Sequence, residues 1–278
     1  MTTPTFRSLY VPTTLGRLHV QDAGPADGPV ALLWPSVFMD GESSWGAQLS
    51  GLHALGWRTL LVDPPGTGRS DSASRLFTME ECGDAAVQTL DVADADRAAL
   101  LGLSWGGIVA LRVALTAPHR VSALVLSNTT ARSVVFRERL AVRLNTLLIR
   151  SGIVPGGLGR PVVSGMLSEH SRNENPEFTT RLAQVVDALD KAGLARNVRS
   201  VLADRSSVVD ALGRITAPAL VIGGAEDRAL PPTPHSTELA DRIAGAQLEV
   251  VPSVAHLAPR EAPTEVAALI RKFLRPLG

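Results

Sequence analysis

Gly102-Leu103-Ser104-Trp105-Gly106-Gly107 sets one serine between glycines. This is the Gly-x-Ser-x-Gly pattern that holds a nucleophile at a sharp strand-to-helix turn. Small residues are needed on both sides because the turn brings backbone against backbone, and glycine adopts the required dihedrals without a Cβ clash. In a chain with 24 glycines the pattern can arise by chance in a loop, so context decides. An apolar run, Ala98 to Leu103, precedes it and a helix-like stretch, Ile108 to Ala117, follows. That is the strand-then-helix setting the turn demands.

A serine hydroxyl is a weak nucleophile at neutral pH and needs a base to take its proton, with a third group to hold that base in the useful tautomer. Six histidines are available. His256 follows the strand expected over Gln247 to Val251 through Pro252-Ser253-Val254-Ala255, which puts it on a loop at a strand's carboxyl end. His53 falls inside a helix, and His119, His170 and His235 fall at a helix end or in polar segments, as surface or capping residues. Asp227 closes Ile222-Gly223-Gly224-Ala225-Glu226-Asp227, again just past a strand, with Glu226 as the rival carboxylate. Both could be solvated loop acids. The chain order Ser104, Asp227, His256, however, is the nucleophile, acid, base order of one hydrolase fold.

The elements that must position these groups follow an α/β rhythm. Phe6 to Val20 alternates around Gly16 as a hairpin, and Val30 to Trp34 and Arg58 to Asp63 are short apolar runs suited to buried strands. Helices are expected over Ser43 to Leu55 and over Thr78 to Leu90, the latter opened by a Thr78/Glu81 capping box. A strand at Ala123 to Leu126 completes this part. Residues 131–205 then carry helix-like runs, Val134 to Arg150 and Glu177 to Lys191, broken at Pro155-Gly156-Gly157 and Asn173-Glu174-Asn175-Pro176. The rhythm resumes with helix Val208 to Ile215, strand Ala219 to Gly223, helix Thr233 to Ala244, strand Gln247 to Val251 and helix Pro263 to Leu274. Strands alternating with helices imply parallel pairing. The expected organisation is an α/β core over residues 1–130 and 206–278, with a mostly parallel central sheet flanked by helices and a helical cap inserted at 131–205 over the sheet's carboxyl edge.

Composition bounds the function classes. The 278 residues suit one α/β unit with an insertion, and 45% hydrophobic content supports a large core. The 27 basic residues balance the 27 acidic ones with no basic stripe, which argues against nucleic acid or a membrane surface as partner and favours a small molecule. Cys82, the one cysteine, leaves no internal disulfide framework and no cysteine-based zinc site. Met1 to Tyr10 lacks the basic flank and apolar stretch of a secretory signal. No segment has the roughly 18 uninterrupted apolar residues of a membrane span, so a cytoplasmic protein is expected.

These motifs resemble the α/β-hydrolase superfamily over nearly the whole chain. Asp63-Pro64-Pro65-Gly66-Thr67-Gly68-Arg69-Ser70 looks like that superfamily's turn after its fourth strand, and Pro118, Arg120 and Val121 resemble the lead into its sixth. Both are scaffold signals, with Asp63 and Ser70 expected to cap backbone. The resemblance implies an oxyanion hole built from the backbone N–H of Trp105 and a second N–H from the loop after Trp34. Many members carry His-Gly there, whereas this chain reads Pro35-Ser36-Val37-Phe38. Proline cannot donate, so the second donor falls among Ser36, Val37 and Phe38. Val37 is favoured by its offset from Trp45, which resembles a superfamily helix tryptophan.

Dehalogenases and epoxide hydrolases of this superfamily attack with a carboxylate, and similar proline iminopeptidases carry a His-Gly-Gly-Pro stretch that is missing here. The resemblance therefore implies acyl chemistry on an ester or lactone, with neither metal nor organic cofactor required. The Ser127-Asn128-Thr129-Thr130-Ala131 exit and the helical lid are similar to those of enol-lactone hydrolases and small esterases. Phe38, Phe136 and Leu140 are the pocket-lining candidates. Arg132, Arg137 and Arg143 are candidate anchors for a substrate carboxylate, although arginines on a helix usually form a solvated face. An acyltransferase, a perhydrolase, a carbon-carbon bond hydrolase and a ligand receptor remain as alternatives on the same fold. The oligomeric state stays open.

Overall fold

The computed structural model describes residues 6–152 and 156–277, so Met1 to Thr5 and Pro155 of the expected Pro-Gly-Gly break lie outside the described residues. Eight strands form one sheet: β1 (Arg7–Thr13), β2 (Gly16–Ala23), β3 (Val30–Trp34), β4 (Arg58–Val62), β5 (Ala98–Leu103), β6 (Val121–Ser127), β7 (Ala219–Gly224) and β8 (Gln247–Val251). Their spatial order is β1-β2-β4-β3-β5-β6-β7-β8. β2 pairs antiparallel with both β1 and β4, and every other pairing is parallel.

Parallel strands need crossovers, and helices supply them. α1 (Gly41–Ala54), α2 (Met79–Val92) and α3 (Trp105–Thr116) lie in the first half; α9 (Pro232–Arg242), α10 (Ala258–Glu261) and α11 (Pro263–Leu274) lie in the second. The period-2 alternation of side chains divides the apolar strands between two cores. Leu32, Leu60, Val62 and Leu100 pack with α2 and α3 on one face. Leu33, Leu61, Leu101 and Leu103 pack with α1 and α11 on the other. Burying each such leucine contributes about 1.5–3 kcal/mol, which explains why these strands read as continuous apolar runs. The Thr78/Glu81 capping box at α2 forms in both directions, at 3.1 and 2.9 Å. No helix among the described residues is long and apolar enough to cross a membrane.

Between β6 and β7 the chain forms α4 (Phe136–Ser151), α5 (Gly159–Met166), α6 (Glu169–Glu174), α7 (Pro176–Ala188) and α8 (Lys191–Val198), followed by a π-helical turn, Arg199–Ala203. The single helix expected over Glu177 to Lys191 is thus two elements. Leu189 is extended, and the Asp190 side chain accepts the N–H groups of Ala192 and Gly193, starting a new helix. An aspartate that satisfies its own downstream N–H groups favours a cap over continuation. The helix expected at Val208 to Ile215 is only a 3-10 turn, Val209–Arg214. Six residues that include Gly213 are too few to repay helix nucleation.

Candidate active site

Ser104 stands between β5 and α3 with φ 54° and ψ −106°, a conformation that costs a non-glycine residue of order 1–3 kcal/mol. Its surroundings over-determine that geometry. A Cβ on Gly102 would lie 2.2 Å from the Gly106 carbonyl carbon, and one on Gly106 would lie 2.0 Å from the Trp34 carbonyl oxygen, so both glycines are dictated by close backbone approach. The Ser104 N–H donates to Ser127 O at 2.9 Å, and Thr129 Oγ1 donates to Ser104 O at 2.7 Å. Trp105 is fully buried, edge-on to Trp34 and stacked on Phe77, which wedges the start of α3.

The turn brings Ser104 Oγ to 2.9 Å from His256 Nε2, and His256 Nδ1 lies 2.8 Å from Asp227 Oδ2. Because the ionised carboxylate only accepts, Nδ1 carries the proton and Nε2 presents its lone pair to the serine hydroxyl. Ser104, Asp227 and His256 are all buried. Asp227 leaves β7 and His256 leaves the neighbouring β8, as the loop positions in the sequence imply. The rival Glu226 is exposed and makes no hydrogen bond to His256.

Asp227 is clamped by four donors. Oδ1 accepts from the N–H groups of Ala229 and Leu230, both at 2.9 Å, while Oδ2 accepts from His256 and from Asn128 Nδ2 at 3.0 Å. Burial pushes its carboxyl up, but the hydrogen bond and charge of His256, the Leu230 N–H and the Asn128 amide outweigh this and hold it below the usual carboxylate range. Asn128 itself has φ 46°, and its Nδ2 also donates to Ala255 O at 2.8 Å, tying the Asp and His loops together. On the other side Glu261 Oε1 accepts from the N–H groups of Ala255 and Leu257, at 3.1 and 3.0 Å. Sequence reasoning missed Asn128 and Glu261 as positioning groups. The only signal for Asn128 was its place directly after a strand.

The backbone N–H groups at the start of α3 can be accounted for one by one. Gly106 donates to Pro35 O, Gly107 and Ile108 donate to Ser104 O, and the N–H of Trp105 has no partner among the described residues. On the facing loop the N–H groups of Ser36, Val37 and Phe38 also lack partners among the described residues, while Met39 donates to Ser36 O.

A cavity of about 670 Å³ opens onto Ser104 and His256. Val37, Phe38, Ile108, Val142, Met166 and Leu202 give it an apolar wall. Phe38 is on that wall, whereas Phe136 and Leu140 are not: they are 76% and 50% exposed and face away on α4. The stripe that reaches the cavity is Val135, Glu138 and Val142 at helical spacing, one face round from Phe136, Leu140 and Leu144. The arginine candidates also change. Arg132 does line the cavity, but its guanidinium is held by Glu238; Arg143 is held by Asp204 and Arg137 is exposed, and neither of these two lines it. Of the histidines set aside from the sequence, His235 is neither a surface nor a capping residue. It lines the cavity and bonds Thr130 Oγ1 at 2.9 Å. Burial, then the charges of Arg132 and Arg205, depress its pKa and keep it neutral near pH 7.

The scaffold motifs behave as caps. Asp63 accepts from the N–H groups of Gly41 and Arg69, and Ser70 Oγ donates to Asp63 O at 2.6 Å. Asp63 also pairs with His19 Nδ1 at 2.9 Å, and His19 Nε2 lies 3.2 Å from Ser8 Oγ, a second Ser-His-Asp array. Ser8 is exposed on β1 and lines no part of the cavity. Burial pushes the Cys82 thiol upward, the behaviour of a packing residue.

Residues 31–269 match the family described as the alpha/beta hydrolase family. The chain belongs to it. This hydrolase is 32% identical over 268 residues to a Variovorax paradoxus protein provisionally named carbamate hydrolase RutD, covering 92% of this chain and 94% of that one. It is 29% identical over 266 residues to the Cupriavidus pinatubonensis 2-hydroxy-6-oxononadienedioate/2-hydroxy-6-oxononatrienedioate hydrolase, covering 93% and 90% of the two chains. Among solved structures it superposes on a thermophilic esterase from Thermogutta terrifontis with a TM-score of 0.88 at 27% identity, covering 98% and 99% of the two chains. It also superposes on the enol-lactonase of Burkholderia xenovorans LB400 with a TM-score of 0.87 at 25% identity, covering 96% and 99%.

Proposed function

We propose that this hydrolase cleaves a carboxylic ester or lactone of a small, largely apolar substrate through an acyl-enzyme on Ser104. The observation that carries this reading is the continuous relay from Ser104 Oγ through His256 to Asp227, with both links under 3.0 Å, at the floor of a cavity. As Ser104 Oγ attacks the carbonyl carbon, its proton passes to His256 Nε2 and the carbonyl π electrons move onto oxygen. Asp227 stabilises the imidazolium and keeps its orientation. The oxyanion is received by the unpartnered N–H of Trp105 and that of Val37, and each such donor contributes roughly 2.7–4 kcal/mol to the transition state. The tetrahedral adduct collapses, His256 returns the proton to the leaving alkoxide, and a water activated by the same imidazole releases the acid. Residues 131–205 act as the cap that shapes the acyl pocket, with Phe38 on its wall.

A second reading, hydrolysis of a carbon-carbon bond next to a carbonyl, has specific support in the name of the Cupriavidus relative. It uses the same serine.

Labelling with a fluorophosphonate probe tests the nucleophile: one equivalent should be taken up, lost in Ser104→Ala and retained in Ser8→Ala, whose hydroxyl also faces an imidazole. Turnover of short p-nitrophenyl esters should then fall about 10⁴-fold or more in Ser104→Ala and in His256→Ala, with no further loss in the double variant, because triad members act as a unit. Labelling that survives Ser104→Ala would overturn the reading.

A further inference from the structure

Arg205 is 7% exposed and lines the same cavity as Ser104. Its Nε donates to Arg132 O at 2.8 Å, and its Nη1 donates to Val201 O at 2.8 Å and to Leu202 O at 3.5 Å. All three acceptors are neutral carbonyls. No carboxylate among the described residues forms an ion pair with it, in contrast to Arg132, whose Nε and Nη2 are taken by Glu238, and to Arg143, which pairs with Asp204. Nη2 of Arg205 makes no hydrogen bond among the described residues. It is also absent from the buried polar atoms left without partners, so solvent reaches it.

This corner of the cavity is electropositive and connected. The Arg132 N–H donates to Thr130 Oγ1, Thr130 bonds His235, and Arg205 holds the Arg132 carbonyl. Arg228 adds a further cation to the lining, and Glu138 is the single carboxylate there among the described residues. Burial, then repulsion from Arg112, bring the Arg205 pKa down to about 10, with Glu138 pulling the other way. A buried guanidinium whose hydrogen bonds all go to neutral carbonyls is costly, and an anion brought by the ligand completes it.

We propose that Arg205 Nη2 binds a carboxylate carried by the acyl part of the substrate, making this a hydrolase of half-esters or lactones of dicarboxylic acids. The proposal rests on Ser104 acting as the nucleophile and adds a specificity-determining residue to it. The acyl chain lies along Val37, Phe38, Ile108 and Met166, with its far end at the Arg205 corner.

The test compares 4-nitrophenyl monoesters of succinate, glutarate and adipate with neutral 4-nitrophenyl esters of matching chain length, at low salt. Wild-type kcat/KM should favour at least one anionic ester over its neutral counterpart. That ratio should fall between about tenfold and a hundredfold in Arg205→Gln, the range for losing a hydrogen bond to a charged group, and less in Arg205→Lys. An unchanged ratio means that Arg205 only ties the Arg199–Ala203 turn to residue 132, and overturns the proposal.

Calorimetric titration of Ser104→Ala with the three diacids separates this proposal from the acyl-enzyme reading, because it needs no chemistry. Diacid binding that disappears in Ser104→Ala/Arg205→Gln supports the site even if no ester is turned over. Should Arg205→Gln fail to fold, the parent proteins decide: a preference for neutral esters together with no diacid binding overturns the proposal, and the opposite pair of results supports it.

Discussion

Glu261 grips the loop that carries His256 from both sides. One carboxylate oxygen accepts the N–H groups of Ala255 and Leu257, the residues flanking the imidazole, and the other accepts the Ser168 N–H at 2.8 Å. The His256 N–H donates in turn to Met166 O at 2.9 Å, at the end of α5. The imidazole is thus fixed between α10 and the helices inserted after β6.

Glu261→Ala leaves the two flanking N–H groups without their shared acceptor and lets the imidazole drift from Ser104. Displacements of about 1 Å at a reacting group cost about 10²-fold in rate, so kcat should drop by about one to two orders of magnitude. KM should change little, because Glu261 lines no part of the cavity. Glu261→Gln, which keeps one carbonyl acceptor, should recover much of the loss. Steady-state kinetics on a p-nitrophenyl ester checks both, and a change confined to KM would refute the positioning role.

Gly106→Ala places a Cβ 2.0 Å from the Trp34 carbonyl oxygen, where only backbone movement relieves the clash. Stability should fall by about 3 kcal/mol or more. Gly51→Ala, where a Cβ meets nothing within 4 Å in α1, should instead gain up to about 1 kcal/mol. Urea midpoints of the two variants should move in opposite directions, and a stable Gly106→Ala would show that the turn is less tightly packed than its geometry implies.

His235 supplies a pH dependence. Its folded-state pKa is below the ordinary 6.5 because of burial first, then Arg132 and Arg205, opposed by Asp227 and Glu238. In the window from pH 6.5 down to the folded value, the unfolded chain binds a proton that the folded chain does not, so stability declines on acidification. His235→Gln removes that contribution. Urea midpoints at pH 8 and pH 5.5 should differ more for the wild type than for the variant. An equal difference would show that His235 has no such role.

The site was legible where a single element carries the signal. The expected spans of β5 and α11 coincide with the observed elements, because a fully apolar or strongly amphipathic run leaves one period to choose. The relay was legible because Ser104, Asp227 and His256 each sit just past a strand. Phe136 and Leu140 were misassigned because hydrophobicity reveals the rotation of a helix only if its apolar face is the buried one, and on α4 the apolar stripe of Phe136, Leu140 and Leu144 is exposed. Arg205 was missed, and His235 was taken for a surface or capping residue, because their partners lie far away in sequence: Arg205 reaches back 73 residues to Arg132, and His235 reaches back 105 to Thr130.

The helices from Phe136 to Val198 enter the chain between β6 and β7, strands already joined to each other by backbone pairing from Leu124/Ala219 to Ser127/Ile222. Lengthening, shortening or exchanging that excursion leaves the pairing intact. Because Met166 O and the Ser168 N–H inside that excursion also brace the loop of His256, a chimaera with a foreign excursion spliced at the same two junctions would keep the sheet but would have to rebuild those two anchors before the imidazole regained its place.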